Sequence, residues 1–377
     1  MVGNRSTLTT LLAPDKPLES PQMPFTIDSQ RYLDLLSATA LGDSLGLPYE
    51  NMPGQRVRRL TRSGLRQRFV FGRYGVISDD TEHALITARA LMNAGNDAEI
   101  FERGLSRRLK RWLQTFPPGV GKATLFSIMK MWFVAPSKAG YRSAGNGPLM
   151  RAPIIGFYHA SDEVIRDKFV VRSTRMTHRD PRALFMASGI ADIVAHLVED
   201  PLDWSSMSRL FRVAANRHAI MGDSAHLDEL SGLLETLDDA HHKGLPILEA
   251  LAGIGGSKGI DGYCYRSGLA AAYIASHATS VNEAIQFSVG VGGDTDSTAA
   301  IAAAIASASG KPGRYDAINC IVDWPVSPAY LEAHAKALSL RHPNDLQEPA
   351  YLPQLLRNLV VVVLDMGHIL RRLLPPY

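Results

Sequence analysis

VGGDTDSTAAIAAAIA, residues 291–306, decides the fold. From Ala299 to Ala308 the side chains are nearly all small, which suits a helix that its neighbours can approach closely and places it at the centre of a helical core. Working outward, apolar residues recur at helical spacing at Tyr32, Leu33, Leu35, Leu36, Ala40 and Leu41, before a Gly42-Asp43 break, and again at Ala84, Leu85, Ala88 and Leu91. Ile100–Leu113, Thr124–Phe133, Arg182–Leu197, Leu227–Leu237, Ser267–Ala278 and Val281–Val289 also favour helices, with Gly or Pro near several ends. Leu331–Leu340 and Leu352–Leu370 are expected to finish the bundle. Strand-like runs are scarce and no repeat of solenoid length is visible, so the expectation is an all-α globule whose loops carry the polar motifs.

The 377 residues are 46% hydrophobic and 20% charged, enough for a sizeable core. Forty basic residues against thirty-seven acidic ones leave a formal +3, which is no nucleic-acid footprint without a dense basic stripe. Cys264 and Cys320 are too few for a disulfide framework or an all-cysteine zinc site, so reduced thiols are expected. The opening segment lacks a long apolar core, so no secretory signal is indicated and a cytoplasmic location is expected. Leu359–Leu364 is fully apolar but too short to cross a bilayer, and reads as a buried helix or strand. Pro14, Pro17, Pro21 and Pro24 make residues 1–29 an extended arm ahead of a core domain spanning 30–377. The Arg-rich stretch Arg56–Arg73 reads as a solvated loop.

Two segments more than two hundred residues apart hold unusual densities of oxygen donors: Ser78-Asp79-Asp80-Thr81 and Gly293-Asp294-Thr295-Asp296-Ser297-Thr298. Each precedes a helix-favouring run, so one side chain in each is available to cap a helix. Capping leaves the second carboxylate unassigned. If the fold joins the segments, four carboxylates share one pocket, and each pair at about 4 Å repels by roughly 1–4 kcal/mol. A divalent cation reverses that sign, and carboxylate with hydroxyl oxygens suits hard Mg²⁺, Mn²⁺ or Ca²⁺ rather than zinc.

Five segments in order, ATALGDSLGLPYE (38–50), SDDTEHAL (78–85), GNGPLMRAP (145–153), THRDPRA (177–183) and the opening stretch (291–306), resemble the ADP-ribosylglycohydrolases, including the dinitrogenase reductase-activating type. The resemblance covers roughly residues 30–312 and implies an orthogonal helical bundle that removes ADP-ribose from modified protein side chains, arginine foremost. It implies a centre of two Mg²⁺, or Mn²⁺, on Ser78, Asp79, Asp80, Asp294, Asp296 and Ser297. Serine stands at 78 and 297 where the family usually has threonine, which removes a methyl worth on the order of 0.8 kcal/mol of packing and keeps the ligand oxygen. Glu50 matches the motif-one acid, and Asp79 and Asp80 are the other candidates for orienting or deprotonating water.

For substrate binding, the resemblance points to the loop Asn146, Gly147, Met150 and Arg151, to His178, to Tyr263 and to Gly292 and Gly293. Pro148 in that loop costs one N–H donor toward a phosphate. Arg151 either pairs with phosphate or braces the loop, and Tyr263 either stacks over the cleft or packs into the core. The implied partner is an ADP-ribosylated protein. A second reading makes the chain an immunity protein that blocks an ADP-ribosyltransferase toxin through the arm, and a third a non-catalytic relative, against which all four aspartates stand.

Overall fold

Asp28 opens the first helix by accepting the Arg31 backbone N–H at 2.9 Å, which satisfies a donor that the helix itself leaves unpaired. The computed structural model describes residues 27–324, 326–343 and 346–373, so residues 1–26 of the 1–29 arm, and the toxin-blocking role assigned to it, lie outside the described residues, while Ser29 already belongs to the first helix. The helices begin with α1 (Ser29–Gly46), α2 (Gly54–Leu60), α3 (Asp79–Ala94), α4 (Ala98–Gln114), α5 (Lys122–Lys130) and α6 (Pro136–Ala139). The middle supplies α7 (Ala152–Tyr158), α8 (Glu163–Arg175), α9 (Pro181–Leu197), α10 (Trp204–His218) and α11 (Ser224–His242). Then come α12 (Ile247–Gly253), α13 (Cys264–His277), α14 (Val281–Val291), α15 (Thr295–Ala308), α16 (Pro328–Ser339) and α17 (Tyr351–Leu373). The fold is all-α. Among the described residues the only strands are β1 (Met52–Pro53) and β2 (Gly292–Gly293), paired antiparallel with Met52 opposite Gly293.

Every residue of α15 is buried, and α1, α13 and α14 pack around it. The central position expected from its small side chains is therefore where the structure puts it. The Gly42-Asp43 break is not a break, because α1 continues through both residues to Gly46. Gly42 and Gly46, four apart and so on one face, meet α15 backbone to backbone. A Cβ on Gly42 would lie 2.4 Å from the Ala299 carbonyl oxygen, and one on Gly46 would lie 2.5 Å from the Thr295 oxygen. These glycines admit a neighbouring helix instead of ending their own. Gly42→Ala is expected to destabilise the chain by about 1–3 kcal/mol, overpacking outweighing the roughly 1 kcal/mol of helix propensity that alanine restores. Urea denaturation measures this, and a variant more stable than the parent would contradict the close-approach reading.

Two other sequence expectations change. The basic stretch after Arg56 is not loop throughout, since its first part belongs to α2, whose Arg58 donates to the Gly290 carbonyl at 2.8 Å and docks it beside α14. The Leu359–Leu364 run is helical but only partly buried: Val361 faces the interior while Leu359 and Val363 are exposed.

α17 is fastened by a buried ion-pair network as well as by apolar packing. Buried Arg357 donates to Asp323 through Nε at 3.0 Å and Nη2 at 2.6 Å, and through Nη2 to the Ile77 carbonyl at 2.6 Å. Its Nη1 lies 3.5 Å from Glu82 of α3. Burial alone works against the Arg357 charge, but Asp323 and Glu82 hold it more firmly protonated than usual. The C-terminal helix is thereby keyed to the helix that begins at Asp79.

Candidate active site

Ser78 caps α3 by accepting the Asp80 N–H at 3.4 Å. That turn is clamped by a residue given no role in the sequence reading, Asp43. Fully buried on α1, the Asp43 carboxylate accepts the Ser78 N–H at 2.9 Å, the Thr81 N–H at 3.1 Å and the Thr81 hydroxyl. Its signal was the aspartate of the first motif, hidden by reading Gly42-Asp43 as a helix break when α1 runs through both.

The second acidic segment starts α15, and a left-handed backbone brings Glu50 to it. Asn51 has φ 61° and donates its N–H to Gly293 O at 2.7 Å, so the β1–β2 contact carries the Glu50 turn alongside Asp294 and Asp296. Gly292 and Gly293 have φ of 80° and 86°, and a Cβ on Gly293 would lie 2.0 Å from the Ile260 oxygen. Both serve chain geometry, and neither is among the residues that line the cavity.

The two segments meet. Ser297 Oγ donates to Asp80 Oδ2 at 3.1 Å across 217 positions of sequence. They border a cavity of about 300 Å³ lined by Glu50, Ser78, Asp79, Asp294, Asp296 and Ser297. Asp80 lies just beneath, buried, with Oδ1 unpartnered among the described residues, as is Oδ1 of buried Asp296. Loss of water, then the neighbouring carboxylates, pushes Asp79, Asp80 and Asp296 well above the usual carboxylate range: Asp43 acts on Asp79, Asp79 on Asp80, and Glu50 on Asp296. Among the described residues no group of three or more His, Cys, Asp or Glu side chains is arranged to hold a metal ion as it stands. The donors line a cavity rather than enclose a point.

Asn146, Gly147, Met150 and His178 line the same cavity. Asn146 Nδ2 donates to Asp294 Oδ2 at 2.8 Å and so orients that carboxylate. Gly147 leaves room for the His178 ring, whose Cε1 would lie 2.9 Å from an added Cβ. Burial, then the Arg151 guanidinium, lowers the His178 pKa to about 3, so the ring is neutral at physiological pH. Arg151 itself does not reach the cavity. Its donors go to Ser173 Oγ and O, Gly147 O and Thr177 Oγ1 at 2.8–3.2 Å, with His83 Nδ1 at 2.9 Å. It braces the loop and has no hydrogen left for phosphate. Tyr263 also stands outside the lining, its hydroxyl donating to Glu229 at 2.7 Å and its ring near the Arg182 and Arg266 guanidinium groups.

Gly119, Gly121, Lys122 and Thr124 at the start of α5 make a wall of the cavity that the motifs did not name. The only sequence signal there was a pair of glycines before a lysine.

A model of the family described as ADP-ribosylglycohydrolase matches residues 26–311. The chain belongs to the ADP-ribosylglycohydrolase family. A protein of Archaeoglobus fulgidus is 27% identical over 292 residues, which are 74% of this chain and 88% of that protein. The ADP-ribosyl-[dinitrogen reductase] glycohydrolase of Rhodospirillum rubrum is 27% identical over 180 residues, 45% of this chain and 58% of that enzyme. Among solved structures, an ADP-ribosylglycohydrolase-related protein complex superposes with a TM-score of 0.58 at 22% identity, covering 83% of this chain and 98% of that one, which establishes a shared fold. The family is one of hydrolases that remove ADP-ribose. Among the described residues no helix of this member is long and apolar enough to cross a membrane.

Proposed function

We propose that the chain hydrolyses the bond between ADP-ribose and a protein side chain, arginine foremost, with two Mg²⁺ or Mn²⁺ ions held by Ser78, Asp79, Asp80, Asp294, Asp296 and Ser297. The observation that carries this reading is the Ser297–Asp80 hydrogen bond, which joins the two acidic segments at one cavity. The donor set supports hard cations: all six residues offer oxygen, and two buried carboxylate oxygens have no protein partner among those described. When bound, such ions supply positive charge that grips sugar hydroxyls and lowers the pKa of water.

The chain's own residues divide the remaining work. Glu50, half-buried at the cavity, is positioned to take a proton from an attacking water, a role it shares with Asp79. Asn146 fixes Asp294, and neutral His178 offers a hydrogen-bonding ring to a ribose hydroxyl without bringing a competing cation. At the other wall, Gly121 precedes α5 with no side-chain cap, so free N–H groups and the Lys122 ammonium suit the diphosphate. Free ADP-ribose and the unmodified side chain leave as products.

Incubating the purified chain with arginine- and serine-linked ADP-ribosyl peptides, with and without Mg²⁺, tests this. Release of ADP-ribose from the arginine conjugate is expected with the metal and is expected to stop in excess chelator. Turnover that survives the chelator would refute the metal part of the proposal.

A further inference from the structure

The family match ends at residue 311, yet one wall of the cavity comes from some fifty residues later. Val361 and Asp365 of α17, one helical turn apart, line it together with Leu47, Phe69 and Pro118. Their position is held from both directions. Arg357, a turn before Val361 on the same face, is locked to Asp323 and Glu82. Buried Val361 packs with Phe69, Val70 and Val76, and three residues past Asp365 the His368 ring stacks on Phe69 at 4.7 Å and bonds to its carbonyl. No ion pair among the described residues occupies Asp365.

The chemistry of this wall is that of an apolar sleeve ending in one carboxylate. It opposes the diphosphate, which Asp365 would repel and which the Lys122 wall would attract. It matches a side chain with a methylene stem and a cationic head, whose stem covers Leu47, Phe69 and Val361 while its donors reach the carboxylate. We propose that α17 builds the subsite for the side chain bearing ADP-ribose, and that Asp365 selects a cationic one. This rests on the hydrolase reading and adds to it a residue that sets specificity from outside the family's matched region.

The test compares the unaltered chain with Asp365→Asn and Asp365→Lys on arginine-linked and serine-linked ADP-ribosyl peptides, alongside calorimetric titration of ADP-ribose. For Asp365→Asn, KM on the arginine conjugate is expected to rise roughly ten- to hundredfold, the effect of losing a charge-assisted hydrogen bond. Asp365→Lys is expected to raise it further. For Asp365→Asn, the kcat on that conjugate and KM on the serine conjugate are expected to stay within about twofold and ADP-ribose affinity not to fall, a pattern that simple damage to α17 would not give. An unchanged KM on the arginine conjugate, or equal losses on both conjugates, would overturn the subsite while leaving the hydrolase reading intact. An unaltered chain that binds ADP-ribose but cleaves neither conjugate would remove the hydrolase reading and the subsite with it.

Discussion

Asp80→Asn is expected to lower kcat by about a thousandfold or more while making the chelator-treated chain more stable. About 4 kcal/mol of transition-state stabilisation corresponds to that factor, the size expected if Asp80 holds one of the proposed cations. The stability change runs the other way for a local reason. Asp80 is buried with Oδ1 unpartnered among the described residues, and its ionised form is opposed by loss of water, by Asp79 and by Asp43. An amide of the same shape removes a repulsion on the order of 1–4 kcal/mol. Single-turnover hydrolysis and thermal unfolding in chelator measure the two effects. Activity within tenfold of the parent would remove Asp80 from the catalytic centre, whereas a joint fall of activity and stability would make it a structural residue.

The largest stability effect is expected at Arg357→Ala, about 3–5 kcal/mol, because it leaves Asp323 and Glu82 buried without their cation. Activity is expected to fall with it, since Glu82 lies one turn into the helix that starts at Asp79. Replacing all three members, Arg357→Met with Asp323→Asn and Glu82→Gln, is expected to recover most of the loss, as neutral groups have no charge to compensate. Chemical denaturation reads both. A single variant costing less than about 1 kcal/mol would mean that water reaches the pair.

The helices were legible because their apolar spacing is local, and the two acidic segments stood out because one cap cannot use two carboxylates. What escaped the sequence depends on partners far along the chain. Gly42 looks the same whether it stops a helix or lets another touch it, and only Ala299 decides. Asp43 showed no role until the Ser78–Thr81 turn lay against it. Arg151 carries the charge of a phosphate ligand, yet Ser173 and Thr177 take its donors, which no spacing within the 145–153 motif reveals. Apolar Leu359–Leu364 reads as a buried helix or strand and says nothing of which cavity Val361 borders.

The bond between Ser297 and Asp80 spans 217 residues, which at translation rates of about 5–20 residues per second separates the emergence of its two partners by roughly ten to forty seconds. Throughout that interval the nascent chain carries its first acids without their counterparts, and α1 waits with a glycine face for a helix not yet synthesised. A protein emerging from the ribosome in this order exposes the face of α1 that packs on α15 until the final third of the chain arrives, which makes early release or truncation a route to aggregation.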